Sequence, residues 1–237
     1  MEEIKEFSDE RQKAWCIHCA RCLASVEKIT RDHVPTKTLL HFPYPGNLPI
    51  VKICHQCNQG FAKDEQYLVA FLSSVLAGST EPDAQSNPNA QRILQHNHML
   101  RASIERSKIE YETIGGERRV VWKPDNARIR PVVVKNARGH AFFEYGEPML
   151  REPASVSIIP FAAMSAAEIE AFEDVPSMEV WPEVGSRMMT RVMTGEDLDG
   201  SWIIVQDGVY RFSVTQAGGI VVRSVMSEYL ATEVCWE

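Results

Sequence analysis

The sequence predicts an α+β protein: a small N-terminal module braced by cysteines, followed by a C-terminal α+β domain organised around an antiparallel β-meander. Three observations lead there. Five of the six cysteines fall within residues 16–57, as CIHCARC (Cys16, Cys19, Cys22) and CHQC (Cys54, Cys57). A strand–loop–strand–helix pattern runs between and after them. Towards the C-terminus, WIIVQDGVYRFSVTQAGGIVVRSVM strings β-branched and aromatic residues between Asp-Gly and Gly-Gly turn pairs.

The cysteines come first. Two C-x-x-C pairs form a tetrahedral thiolate site, because each pair supplies two sulfurs from one tight turn. The reading is a structural zinc ion. Disulfides fit poorly with a chain expected in the reducing cytoplasm, and a redox motif needs no second pair. Cys54 and Cys57 are two ligands. The other two are Cys16 and Cys19 or Cys19 and Cys22, and Cys16/Cys19 is preferred because Ala20 is small enough for the turn where Leu23 is not. Cys235, in TEVCWE, reads as a buried small apolar residue.

Between the pairs, KIT is a short β-like run ending at Asp32-His33, and Pro35 biases Val34 towards extended geometry. PYPGN is a loop, and LPIVKIC has the alternating look of a second strand. A helix is expected to open at Asn58 and end at Gly78, with Phe61, Leu68, Leu72 and Val75 at helical spacing.

The run DHVP…NLPIVKICHQCN resembles the HNH nuclease motif, the ββα-metal finger, in the version whose last histidine is replaced by asparagine. The resemblance covers roughly residues 14–77. It implies a zinc-braced ββα-metal module in which His33 is the general base, Asn47 orients that histidine through its backbone, and Asp32 and Asn58 hold a catalytic Mg²⁺ or Mn²⁺. It also implies a nucleic-acid substrate cut to 5′-phosphate and 3′-hydroxyl ends, with DNA favoured and RNA left open, in a setting such as restriction, phage defence or a mobile element. The chemistry of these residue types agrees. An imidazole titrates near working pH, and a carboxylate with an amide oxygen suits a hard cation that keeps several waters. Four thiolates leave a zinc no open position, so it would brace and not catalyse. The reading from another class is a non-catalytic zinc module that binds nucleic acid or a protein.

Weaker candidates surround the motif. Glu65 is a third carboxylate or a surface acid. Lys37 and Lys63 are phosphate contacts or solvated side chains. His18 and His55, inside the knuckles, are expected to be exposed, and His41 has no assigned role.

The remaining elements follow in order. GSTEPDAQSNPNA is a connector, and Asn87-Pro88 caps a helix to about Ser107 that sets Ala90, Ile93, Leu100 and Ile104 on one side. IEYETIGGERRVVWKP is a hairpin turning at Gly115-Gly116. Residues 118–138 carry seven bases (Arg118, Arg119, Lys123, Arg128, Arg130, Lys135, Arg138) against Asp125 alone, a phosphate-contacting strip or a solvated face. KNARGHAFFEYG is a helix ended by Gly146, where Arg138 and His140 are weighed as a second polar site. SAAEIEAFED opens with a capping box from Ser165 to Glu168. The domains drawn from this are residues 1–80, the nuclease-like module; 81–115, connector and helix; and 116–237, the accessory domain.

Charge divides the chain. Residues 145–237 hold fifteen Asp/Glu against five Arg and no Lys, which leaves seventeen acids and twenty bases in residues 1–144. The acidic part is therefore expected to meet a protein partner or a second copy, as a homodimer, and not the nucleic acid. No apolar run approaches a membrane span, and the polar N-terminal stretch of residues 1–13 is unlike a secretory signal.

Overall fold

The computed structural model describes residues 14–175, 181–216 and 218–237, so the reading of residues 1–13 lies outside the described residues. The chain is mixed α+β and divides into two compact units, Met1–Gly60 with Val133–Glu237, and Phe61–Val132. Both boundaries fall inside long helices, whereas the sequence reading drew its divisions at 80 and 115.

The first unit opens with strand β1 (Ile29–His33), which pairs antiparallel with β2 (Ile50–Cys54), Ile29 opposite Cys54 and His33 opposite Ile50. Val34 N–H to Pro49 C=O, 3.0 Å, carries the pairing one step further. Helix α1 (His55–Ala77) follows β2 with no intervening loop. It therefore starts three residues before Asn58, the expected opening. The cause is Cys54: its sulfur accepts the Cys57 backbone N–H at 3.4 Å, the hydrogen bond that a capping side chain makes. Cys16, Ile17, Leu23, Val34, Val51, Ile53 and Cys54 form the buried cluster around this pair of strands.

The same unit contains the second half of helix α4 (Asn126–Tyr145), a six-stranded sheet and two short helices. The helix starts well before the KNARGH stretch. Asp125 Oδ1 caps it by accepting the Ala127 N–H, and Pro131 is tolerated inside it. Gly139 brings α4 against the first strand pair: a Cβ there would stand 2.6 Å from the Val34 side chain. The sheet has the order β5-β10-β9-β8-β7-β6, all antiparallel, from β5 (Ser155–Pro160), β6 (Leu198–Asp199), β7 (Trp202–Gln206), β8 (Tyr210–Gln216), β9 (Ile220–Met226) and β10 (Leu230–Trp236). The expected meander is β7 to β10. Its outer strands are covered by β5 and β6, so the edges available for pairing with another chain are those of β5 and β6. Helix α5 (Ala166–Glu173) begins at the anticipated capping box, with Ser165 and Glu168 bonded reciprocally. Phe172, Val175, Trp202, Val225 and Ala231 form a second buried cluster. Helix α6 (Arg187–Thr194), capped by Ser186, had no counterpart in the sequence reading. Cys235 is half-buried, not buried, because alternate residues of β10 face the less covered side of the sheet.

The second unit holds the remainder of α1, in which Tyr67 through Ser74 are buried without interruption. Two helices replace the single one expected after Asn87: α2 (Pro88–His96) and α3 (His98–Arg106). Asn97 breaks the run, its side chain turning back to accept the Leu100 N–H and cap the second helix. The hairpin of β3 (Lys108–Glu112) and β4 (Arg118–Trp122) turns where Gly115-Gly116 placed it, with Gly116 at a φ of 79°. Among the described residues, no helix is long and apolar enough to cross a membrane.

Candidate functional site

The four preferred cysteines converge. The sulfurs of Cys16, Cys19, Cys54 and Cys57 all lie within 4.8 Å of one another, and Cys22 stands outside the group. Cys19 and Cys54 sulfurs are 3.7 Å apart, and all six cysteines are free thiols. A tetrahedral ion with metal–sulfur distances of ~2.3 Å sets its ligands about 3.8 Å apart, so this spacing suits a shared cation. The backbone is arranged for it. Ala20 takes a left-handed φ of 57° as the first knuckle turns, and its N–H reaches Cys16 C=O at 2.9 Å. The Cys54 N–H points to the Cys16 sulfur at 3.5 Å. Such N–H groups favour thiolate, the form that binds metal. The four cysteines can thus hold an ion such as zinc.

His33 ends β1 half-buried. Burial, with the charge of Lys37 next, lowers its pKa below 6.5, so it is neutral at neutral pH, as a proton acceptor must be. Asn58 lies in the first turn of α1, half-buried, its amide free of hydrogen bonds among the described residues. Asn47 lies in the turn before β2, and its side chain donates to Asp197 Oδ2 at 3.0 Å. Arg191 holds that aspartate at 3.0 Å and grips the buried Glu144 with two hydrogen bonds, 3.0 and 3.2 Å. A second link fixes the same loop. The Gln206 side chain accepts from His41 N–H at 2.8 Å and donates to His41 C=O at 2.9 Å, beside a bulge between β7 and β8. The loop joining β1 and β2 is thereby tied to the large sheet, and this is the part that His41 plays. Among the described residues, no hydrogen bond joins any two of Asp32, His33, Asn47 and Asn58.

Asp32 corrects the sequence reading. It is buried, 7% exposed, and its carboxylate meets Lys135 Nζ at 2.9 Å, with His18 Nε2 at 3.8 Å on the other oxygen. Burial works against ionisation, but His18 and Lys135 outweigh it and hold the carboxyl below its ordinary range. A divalent cation on Asp32 would have to displace an ammonium that already neutralises it. The donor set expected for Mg²⁺ or Mn²⁺ therefore does not fit as far as Asp32 is concerned. His18 is also corrected: its side chain is 2% exposed, packed beside Asp32 and not open to solvent. Lys135, read from sequence as part of a phosphate-contacting strip or a solvated face, is instead the buried partner of Asp32. The signal was a lysine in the apolar run PVVVKNA, at a place where only a paired cation is tolerated.

Lys135→Met should cost about 3 kcal/mol of stability, because it strands a buried carboxylate. Urea unfolding measures this, and adding Asp32→Leu should restore most of the loss. Wild-type stability for Lys135→Met alone would show that the pair holds nothing together.

The other candidates are placed by their partners. Lys37 lies over the Tyr44 ring at 5.2 Å. The basic run does not form one strip. Lys135 and Arg138 are buried in the first unit, where Arg138 bonds the His18 and Arg151 carbonyls. Arg118, Arg119, Lys123, Arg128 and Arg130 belong to the second unit, where Arg128 pairs with Asp64 at 3.0 Å. The Arg138–His140 polar site dissolves too. His140 is buried, bonded to the Tyr210 hydroxyl at 3.0 Å and stacked 3.6 Å from the Phe212 ring.

Burial, and Arg191 after it, hold the His140 pKa well below 6.5. Below pH 6.5 the unfolded chain takes up a proton that the folded chain refuses, so stability present above 6.5 falls as the pH drops. One such group costs about 1.4 kcal/mol per pH unit in that window. Melting temperatures between pH 7.5 and 5 should show the fall, and His140→Phe should flatten it by that amount. Parallel pH profiles for the two proteins would remove His140 as the cause.

Comparison with known protein families, with functionally characterised proteins and with solved structures finds no match to this chain.

Proposed function

We propose that the chain is an HNH-type endonuclease that hydrolyses phosphodiester bonds of DNA, with zinc on Cys16, Cys19, Cys54 and Cys57 as its brace. The observation that supports this reading is the order of parts. An antiparallel strand pair ends in a neutral histidine, the following helix starts on the second cysteine pair, and Asn58 lies in its first turn. In this mechanism His33 accepts a proton from water. The hydroxide attacks phosphorus, and the bond to the 3′ oxygen breaks, leaving 5′-phosphate and 3′-hydroxyl ends. Asn47 acts from a loop held by Asp197 and Gln206. Asp32 is assigned to holding the finger against α4 through Lys135, and no metal step is built on it. A divalent cation would supply charge neutralisation at the leaving oxygen.

The test is incubation with duplex DNA, single-stranded DNA and RNA in Mg²⁺, Mn²⁺ or EDTA. Divalent-dependent cutting that His33→Ala abolishes is the expected result. The Lys135–Asp32 pair favours a second reading, a non-catalytic zinc module that binds nucleic acid or protein. Absence of cutting with any substrate and any of these ions would leave that reading standing.

A further inference from the structure

The β3–β4 hairpin sorts its charge by face. Residues opposite one another in an antiparallel pair share a face, and the register sets Ile109 opposite Val121 and Tyr111 opposite Arg119. The other face takes Lys108, Glu110, Glu112, Arg118, Val120 and Trp122, so both strand acids lie there. On the first face, Ile109, Tyr111 and Val121 are 50%, 45% and 48% exposed. The ladder continues through the Lys123 N–H to Ser107 C=O bond, 2.9 Å, which brings Lys123 to that face as well.

At the base of this face lies a pocket of about 370 Å³ with Arg106, Lys123, Arg128, Ser103, Ser107 and Tyr67 in its wall. Arg128 is engaged, lying 4.5 Å over the Tyr67 ring and paired with Asp64. Arg106 and Lys123 are exposed and have no ion-pair partner among the described residues. Asp125, also in the wall, turns its carboxylate to the first turn of α4. Among the described residues, Arg119 is paired only with Glu117 in the turn, where both side chains are largely exposed.

We infer that this face and the pocket at its base form a contact surface for duplex DNA, with Arg106 and Lys123 on backbone phosphates. The inference rests on the proposed nucleic-acid substrate and names where the chain holds it. Three features suit that occupant. Two cations with no ion-pair partner among the described residues line one open pocket together with hydroxyls, room enough for a stretch of phosphate backbone. The strand acids Glu110 and Glu112 lie on the opposite face, and the acid on this one, Glu117, is paired with Arg119 at the turn. A two-stranded ribbon is narrow enough for the major groove, and exposed Tyr111, Ile109 and Val121 supply apolar surface to base edges.

The experiment is fluorescence anisotropy of a labelled 20-base-pair duplex with the full chain across a salt series, with cleavage of the same duplex followed in parallel. Removing two phosphate contacts lowers the slope of log affinity against log salt by about 1.8. Arg106→Ala with Lys123→Ala should show that drop and bind about tenfold more weakly at physiological salt. Arg118→Ala, which removes one positive charge from the opposite face, should bind as wild type does. Equal weakening by Arg118→Ala would reduce the effect to net charge and overturn the inference. So would a double variant that binds and cuts like wild type, an outcome that leaves the nuclease reading intact. Binding that depends on Arg106 and Lys123 without any cleavage would support this surface and refute the nuclease. A wild-type chain that binds no duplex would overturn both.

Discussion

Cys54→Ala is expected to abolish metal binding and unfold the N-terminal finger. The residue acts at four places at once. It ends β2 opposite Ile29, its N–H points to the Cys16 sulfur, and its own sulfur caps α1 through the Cys57 N–H. It is also one corner of the four-sulfur cluster. Few apolar side chains surround the two strands in this region, and the cluster includes two of the cysteines themselves. A zinc site of this kind contributes folding free energy of order 10 kcal/mol, more than the whole net stability of many domains. Purified wild-type protein should carry one zinc per chain. The variant should carry almost none and lose the near-ultraviolet signal of Trp15. Cys22→Ala should keep the metal, since that thiol stands outside the cluster. A metal-free wild type, or a Cys54→Ala protein that retains its ion, would disprove the zinc brace.

His33→Ala should lose cleavage while keeping zinc and fold. The ring is half-buried at the end of β1 and makes no hydrogen bond among the described residues, so its removal breaks no structural contact of that kind. Losing a general base typically costs 10²–10⁴-fold in rate. The neutral ring also fixes the pH profile. Because burial and Lys37 lower its pKa, the base form persists below pH 6.5, and activity should decline only as the pH falls through that lowered value. Zinc content and melting temperature near those of wild type are the controls. A His33→Ala protein that cuts at the wild-type rate would remove the base from the mechanism. An acid limb above pH 6.5 would contradict the environment seen around the ring.

Much of the architecture was legible because it is written locally. The meander follows from period-two alternation between Asp-Gly and Gly-Gly pairs. The Ser165–Glu168 box and the Asn87 cap each depend on residues no more than three apart. The helix break at Asn97 was missed because a capping asparagine inside a periodic run leaves the apolar pattern undisturbed. The early start of α4 was missed because Pro131 reads as a helix breaker, yet it costs only one backbone bond six residues into the helix.

The cysteine spacing pointed to the four-sulfur cluster and left open whether Cys16 or Cys22 completes it. Ala20 allows the turn that lets Cys16 and Cys19 meet Cys54 and Cys57, and no distant residue is needed to explain it. The roles of Asp32 and Asn47 were set otherwise. Lys135 lies 103 residues beyond Asp32, Asp197 lies 150 beyond Asn47, and Gln206 lies 165 beyond His41. No period or spacing connects such pairs. A carboxylate in a DH motif reads the same in sequence whether it faces water, a divalent cation or a buried ammonium. Folding decides among them, because burial makes an unpaired charge too costly and the nearest cation takes the place.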